Sequence, residues 1–124
     1  MNIEPHYVDF NTAKLLKEKG FDLPVSVVYK NKDGWEEVIG VPYNYNYFEN
    51  IQSAPEQWQV VEWLRVNHSI WVQPSFSRRQ DYTIRWEYNI YDLKVKNKMW
   101  CDVGYDSPQK AYAAAFDYIL TKLI

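Results

Sequence analysis

Strict alternation of apolar and polar positions is clearest late in the chain. Tyr82, Ile84, Trp86, Tyr88 and Ile90 fall on one face, and Thr83, Arg85, Glu87 and Asn89 on the other. That period of two describes a strand with one face on a core and one in water. Ser69–Phe76 is β-rich as well, and Ser77-Arg78-Arg79-Gln80-Asp81 between the two runs predicts a hairpin. Pro74 places the first of these strands at an edge or a bulge, because proline has no N–H to give to a central ladder. Upstream, Val25–Lys30 and Trp35–Val41 are joined through Asn31-Lys32-Asp33-Gly34, and Asp-Gly between β-rich runs is a strong hairpin signal. A turn on Asp33-Gly34 would set Lys30 opposite Glu37 and Tyr29 opposite Val38, whereas a longer loop would shift the pairing. Leu93–Lys96 and Met99–Val103, separated by Asn97-Lys98, offer a further short strand pair.

Helical periodicity occupies three other stretches. Asn11 is placed to cap a short helix over Thr12–Lys19, with Leu15 and Leu16 inward and Gly20 as a left-handed stop. In the central stretch from Ser53 to His68, Ser53 and Glu56 have capping-box spacing and Pro55 falls in the first turn. Trp58, Val60, Val61, Trp63 and Leu64 then share an apolar arc a little over half the circumference wide. The last helix opens at Asp106-Ser107-Pro108, with Ser107 as N-cap and Pro108 at N1. Its stripe runs through Tyr112, Ala115, Phe116, Ile119, Leu120 and Leu123, which implies a docked C-terminal end. The order helix, hairpin, helix, hairpin (with a possible extra strand pair), helix predicts an α+β fold: one domain over 1–124, its antiparallel sheet built from two hairpins and packed with three helices.

Composition changes this picture in one respect. Apolar and charged contents of 47% and 24% are ordinary, but six Trp, eleven Tyr and five Phe are more rings than one small core can enclose. Some aromatics are therefore expected at the surface. A net charge of −2 supplies no global field to attract nucleic acid or acidic lipid. Cys101 is the only cysteine, so no internal disulfide can form, which favours a reducing compartment. The first residues lack the basic and apolar regions of a signal peptide, and no apolar run nears the roughly 20 residues of a membrane span. The expected location is the cytoplasm.

The sequence carries little recognisable chemistry. His6 and His68 are the only histidines, and neither has metal-ligand spacing to Cys101. His68, ending the central helix, is expected to favour its charged form beside the negative end of the helix dipole. Cys101, between Trp100 and Asp102, reads as a small buried apolar residue. The four glycines form no phosphate loop, and no carboxylate spacing marks an acid–base pair. No cofactor is expected. An enzyme on an unrecognised carboxylate site is the weakest reading.

Two stretches carry candidate binding residues. Pro42–Asn50 interleaves Tyr43, Tyr45, Tyr47 and Phe48 with asparagines. The tyrosines either lie over the sheet, bonding through their hydroxyls, or contact a partner, since rigid amphipathic tyrosine gives contact area at small entropic cost. On the second reading the chain is an interaction or accessory module for an unidentified protein partner or a second copy of itself. Arg78, Arg79, Arg85, Lys94 and Lys96, with nearby rings, offer the alternative of a single-stranded nucleic-acid binder. Solvated hairpin ends and lysine-protected edge strands explain the same charges, so nucleic acid is the less favoured partner.

Ser53-Ala54-Pro55 with Trp63, Arg65 and His68, the opening Leu15-Leu16-Lys17-Glu18-Lys19-Gly20-Phe21 and the Ala-rich, Ile-ended last helix resemble a group of short uncharacterised proteins from gut bacteria and their prophages. The resemblance covers most of the chain and rests on a helix cap and core aromatics. It implies an origin in a mobile element and a cytoplasmic location, and brings no catalytic or binding residues.

Overall fold

Local capping chemistry sets the ends of the helices. In the computed structural model, which describes residues 5–124, α1 (Phe10–Glu18) starts at Asp9, whose carboxylate accepts the Thr12 N–H at 2.7 Å. Asn11, the expected cap, lies inside the first turn instead. Gly20 ends this helix at φ +88°, a conformation open to glycine at little cost. Leu16 is buried and Leu15 half-buried.

The first hairpin pairs β1 (Val27–Asn31) with β2 (Gly34–Glu37) in the register Val27↔Glu37, Val28↔Glu36 and Tyr29↔Trp35. Lys32 and Asp33 make the turn, and a bulge between Tyr29 and Asn31 absorbs one residue. Asp33-Gly34 therefore marks the hairpin, but the Lys30–Glu37 pairing is not made. Lys30 meets Glu36 instead, at 3.2 Å on the surface. β2 also ends at Glu37, four residues before the expected Val41.

The central helix corrects the sequence reading most. β3 (Gln52–Ser53) pairs with the other edge of β1, with Val28 opposite Ser53. Ser53 is thus a buried strand residue and not a cap. α2 (Gln57–His68) begins four residues later, with Glu56 as N-cap and the Gln59 Oε1 accepting the Glu56 N–H at 3.0 Å. Its buried face is Val60, Val61, Trp63 and Leu64. At about 100° per residue, Trp58 falls roughly 60° beyond the edge of that face, and it is 61% exposed.

The second hairpin pairs β4 (Ile70–Arg78) with β5 (Ile84–Asp92) from Ile70↔Asp92 to Arg78↔Ile84, and the loop is 79–83. Pro74 sits in β4, which is an edge strand as its missing N–H requires. β6 (Met99–Tyr105) lies on the far side of β5. Leu93–Lys96 is not a strand; it belongs to the tight connection into β6, where Asn97 takes φ +64°. α3 (Pro108–Tyr118) starts as expected, the Ser107 hydroxyl accepting the Lys110 N–H at 3.2 Å, and continues into a wider turn, Ile119–Leu123.

The order is α-ββ-α-βββ-α with a short strand, β3, ahead of α2, an α+β fold as predicted. The strands form two antiparallel three-stranded sheets, β2-β1-β3 and β4-β5-β6, where the sequence suggested one. Helices join them: α1 packs on β1 and β3, α2 on β4, and α3 on all three strands of the second sheet. Phe21, Val27, Val60, Trp63, Leu64, Val72, Ile90, Phe116 and Leu120 belong to one buried cluster. α3 covers only part of its sheet. Ile90 and Val72 are fully buried, whereas Ile84 and Phe76, at the other end of the same face, are exposed.

Candidate functional site

The surplus rings predicted from composition do reach the surface. Trp35, Tyr43, Tyr47, Phe48, Trp58, Phe76 and Tyr82 are all exposed; Trp35 packs on Tyr7 at 5.0 Å and Trp58 stands on α2, while the other five collect in two places. The first is the segment after β2. Val38 still donates to the Ser26 carbonyl at 2.8 Å, after which Ile39, Gly40 and Val41 swing outward with φ +123° at Gly40. The chain returns at Tyr43, which exchanges two backbone hydrogen bonds of 3.0 Å with Val25.

Beyond that bridge the backbone is held by polar side chains. The Asn44 side-chain Oδ1 accepts the Asn46 N–H at 3.1 Å and starts a single 3-10 turn, Tyr45–Tyr47. The Asn46 amide then ties together two distant segments, donating to the Phe21 carbonyl at 2.9 Å and accepting the Ser53 N–H at 2.7 Å. Lys17, on α1, donates to the Glu49 carbonyl at 2.9 Å, the Ile51 carbonyl at 2.7 Å and the Phe48 carbonyl. Burial lowers the Lys17 pKa, and Glu49 opposes that shift.

On this fixed backbone the rings touch in a continuous row. Tyr43 meets Tyr45 edge-on at 5.7 Å and Phe48 at 6.2 Å, and Tyr47 meets Phe48 edge-on at 5.7 Å. Tyr43 is 50% exposed, Tyr47 78% and Phe48 45%, while Tyr45 is half-buried. All four candidate residues are thus brought together. The asparagine and lysine side chains do the anchoring that the first sequence reading gave to tyrosine hydroxyls. Nothing in the sequence marks Lys17 and Asn46 as anchors. Their partners lie 25 to 34 residues away on one side, which no local pattern encodes.

The basic candidates are not gathered. Arg78 and Arg79 stand at the tip of the second hairpin, beside exposed Phe76 and Tyr82. Lys94 and Lys96 follow β5 at the opposite end, about 26 Å away by the rise of an extended strand. Arg85 pairs with Asp106 on the surface. At the tip, Thr83 donates to Asp81 through its N–H at 3.1 Å and its hydroxyl at 2.7 Å, which lowers the Asp81 pKa.

Two further expectations change. Cys101 is exposed, because the alternation along β6 turns Trp100 toward the core and Cys101 away from it, opposite Asn89. His68 packs edge-on against Trp63 at 4.8 Å, and burial, assisted by Lys94, lowers its pKa. Burial and Lys94 thus both work against the charged form expected at the helix end. Among the described residues no cluster of His, Cys, Asp or Glu has metal-binding geometry, and no helix is long and apolar enough to cross a membrane. Comparison with protein-family models, curated proteins and solved structures finds no match for the chain.

Proposed function

We propose that this chain is a protein-interaction module whose contact surface is the row Tyr43, Tyr45, Tyr47 and Phe48. The observation that supports the reading is the combination of exposed, mutually packed rings with a backbone pinned by Asn46 and Lys17. An exposed apolar patch usually marks a contact site, and a loop already fixed loses little further freedom on binding. The fitting partner is a protein segment with apolar side chains for the ring faces and free carbonyls for the tyrosine hydroxyls. A second copy of the chain would satisfy the same chemistry. The unpaired thiol of Cys101 supports work in a reducing compartment such as the cytoplasm, and the resemblance to prophage-associated proteins supports an accessory role.

Crosslinking, pull-down and sedimentation with Tyr43→Ala/Tyr45→Ala/Tyr47→Ala test this. Loss of partner or self-association by a folded variant is expected. Because Tyr45 is half-buried, Tyr47→Ala alone serves as a second variant that leaves the core untouched. Unchanged recovery with both would remove the loop from consideration.

A second reading has one observation in its favour: Arg78 and Arg79 flank the exposed rings of Phe76 and Tyr82, a small basic and stacking tip. A labelled single-stranded oligonucleotide titrated at low and high salt tests it. Absence of binding at low salt would end it.

A further inference from the structure

A cleft of about 450 Å³ opens at the end of the second sheet remote from the Arg78 tip, where α2 ends and the chain turns from β5 into β6. Its walls include Lys94 and Lys98 from that turn, Lys122 from the turn after α3, His68 from the end of α2, and Trp100. Three lysines thus border one concavity, contributed by two segments far apart in sequence. Among the described residues no ion pair involves any of the three.

Asp92 is the one carboxylate side chain in the lining, and its Oδ1 already accepts the Lys94 N–H at 2.9 Å. The main-chain oxygen of Ile124, also in the wall, takes a hydrogen bond of 3.0 Å from Lys19. Lys98 is held with its ammonium 5.4 Å from the centre of the Trp100 ring, a cation–π contact that limits its wandering. The three lysines outnumber the Asp92 carboxylate, so positive charge remains in excess in the cleft, and a bound anion relieves it.

We propose that this cleft binds a small phosphorylated molecule, its phosphate or diphosphate group held among Lys94, Lys98 and Lys122. Three point charges suit an anion carrying more than one negative charge, and lysine binds phosphate as a compact charge. The volume exceeds that of a bare phosphate and falls within the range of small-molecule sites, about 300–1,000 Å³. The remainder of the ligand lies along Ile70 and Trp100. His68 beside it is held neutral by burial and by Lys94, and so offers one N–H donor without adding charge. This site stands apart from the aromatic row and does not depend on it.

Calorimetric titration with pyrophosphate, adenosine diphosphate and neutral adenosine tests the proposal, with amide chemical shifts to place the ligand. Both anions should bind at concentrations up to about 1 mM at low salt, and adenosine should not. Lys94→Gln/Lys98→Gln/Lys122→Gln should weaken binding by about tenfold or more, while Lys32→Gln, in the first hairpin turn, should leave it unchanged. All four lysines are exposed, so these variants keep the fold. Binding unchanged in the triple variant would overturn the assignment, as would equal loss in Lys32→Gln, equal binding of adenosine, absence of anion binding, or shifts confined to residues outside 67–70, 92–100 and 122–124.

Discussion

Replacing Ser53 by alanine separates two accounts of where the central helix begins. If Ser53 were the N-cap suggested by its spacing to Glu56, Ser53→Ala would cost about 0.5–2 kcal/mol. In the structure Ser53 is fully buried in β3 with Val28 opposite, and its hydroxyl oxygen has no hydrogen-bond partner among the described residues. A buried polar group left unsatisfied costs about 1–3 kcal/mol. Removing the hydroxyl recovers that penalty, less a few tenths of a kcal/mol for the dispersion contacts of one oxygen atom. The backbone of residue 53 keeps its bond to Asn46, since that uses the N–H. Ser53→Ala should therefore stabilise the fold by about 1 kcal/mol, raising the melting temperature by about 4 °C. Gln59→Ala should destabilise by about 1 kcal/mol, because Gln59 accepts the otherwise orphaned Glu56 N–H. Urea unfolding of both variants, with unchanged m-values, is the assay. Loss of stability in Ser53→Ala together with a neutral Gln59→Ala would refute the reasoning and restore the earlier helix start.

The two tryptophans of α2 should part company. Trp63→Ala, in the core against Phe21 at 5.5 Å, should cost about 3–5 kcal/mol, whereas exposed Trp58→Ala should stay within about 0.5 kcal/mol, both read by chemical denaturation. Lys17→Met should release the aromatic loop and cost about 1–2 kcal/mol, discounted for partial exposure; hydrogen exchange of amides 45–51 should accelerate, and unchanged exchange would show that the three carbonyl contacts do not hold the loop. His68 has a folded-state pKa below the ordinary 6.5, first through burial and then through Lys94. The unfolded chain takes up that proton first, so the contribution of His68 is full above about pH 6.5 and is lost as the pH falls through its folded value. Proton NMR titration should place the imidazole pKa below 6.5 and show it rising in Lys94→Ala; a value above 6.5 would contradict the burial argument.

Features with local causes were readable in the sequence. Gly20, Ser107 and Pro108 mark helix ends through chemistry confined to a few neighbours, and the alternation over Ile84–Ile90 assigns faces whatever the strand pairs with, whereas Tyr82, expected on the same face, lies in the loop at φ +65°. Register was less accessible. The second hairpin loop lies two residues beyond the expected one, and in the first hairpin a bulge moves Lys30 from Glu37 to Glu36. At the central helix the sequence carries two overlapping caps, Ser53 with Glu56 and Glu56 with Gln59, and the pairing of β3 with β1 selects the second. An apolar run alone does not say which of two alternating faces meets the core, so Cys101 reads as buried in the sequence and stands exposed in the fold. The aromatic row was visible as composition. Its rigidity was not, because it depends on Lys17 and Asn46 reaching across the fold.

The partial cover that α3 gives its sheet means that β4 and β5 form one ribbon with two thermal personalities. Amides around Val72 and Ile90 can meet solvent only when the whole molecule opens. Those near Phe76 and Ile84, whose side chains are about half exposed, can come loose alone while the rest stays intact. A protease that finds the arginine-bearing tip would therefore cut the native chain there, leaving two fragments still clasped by the strands behind the break.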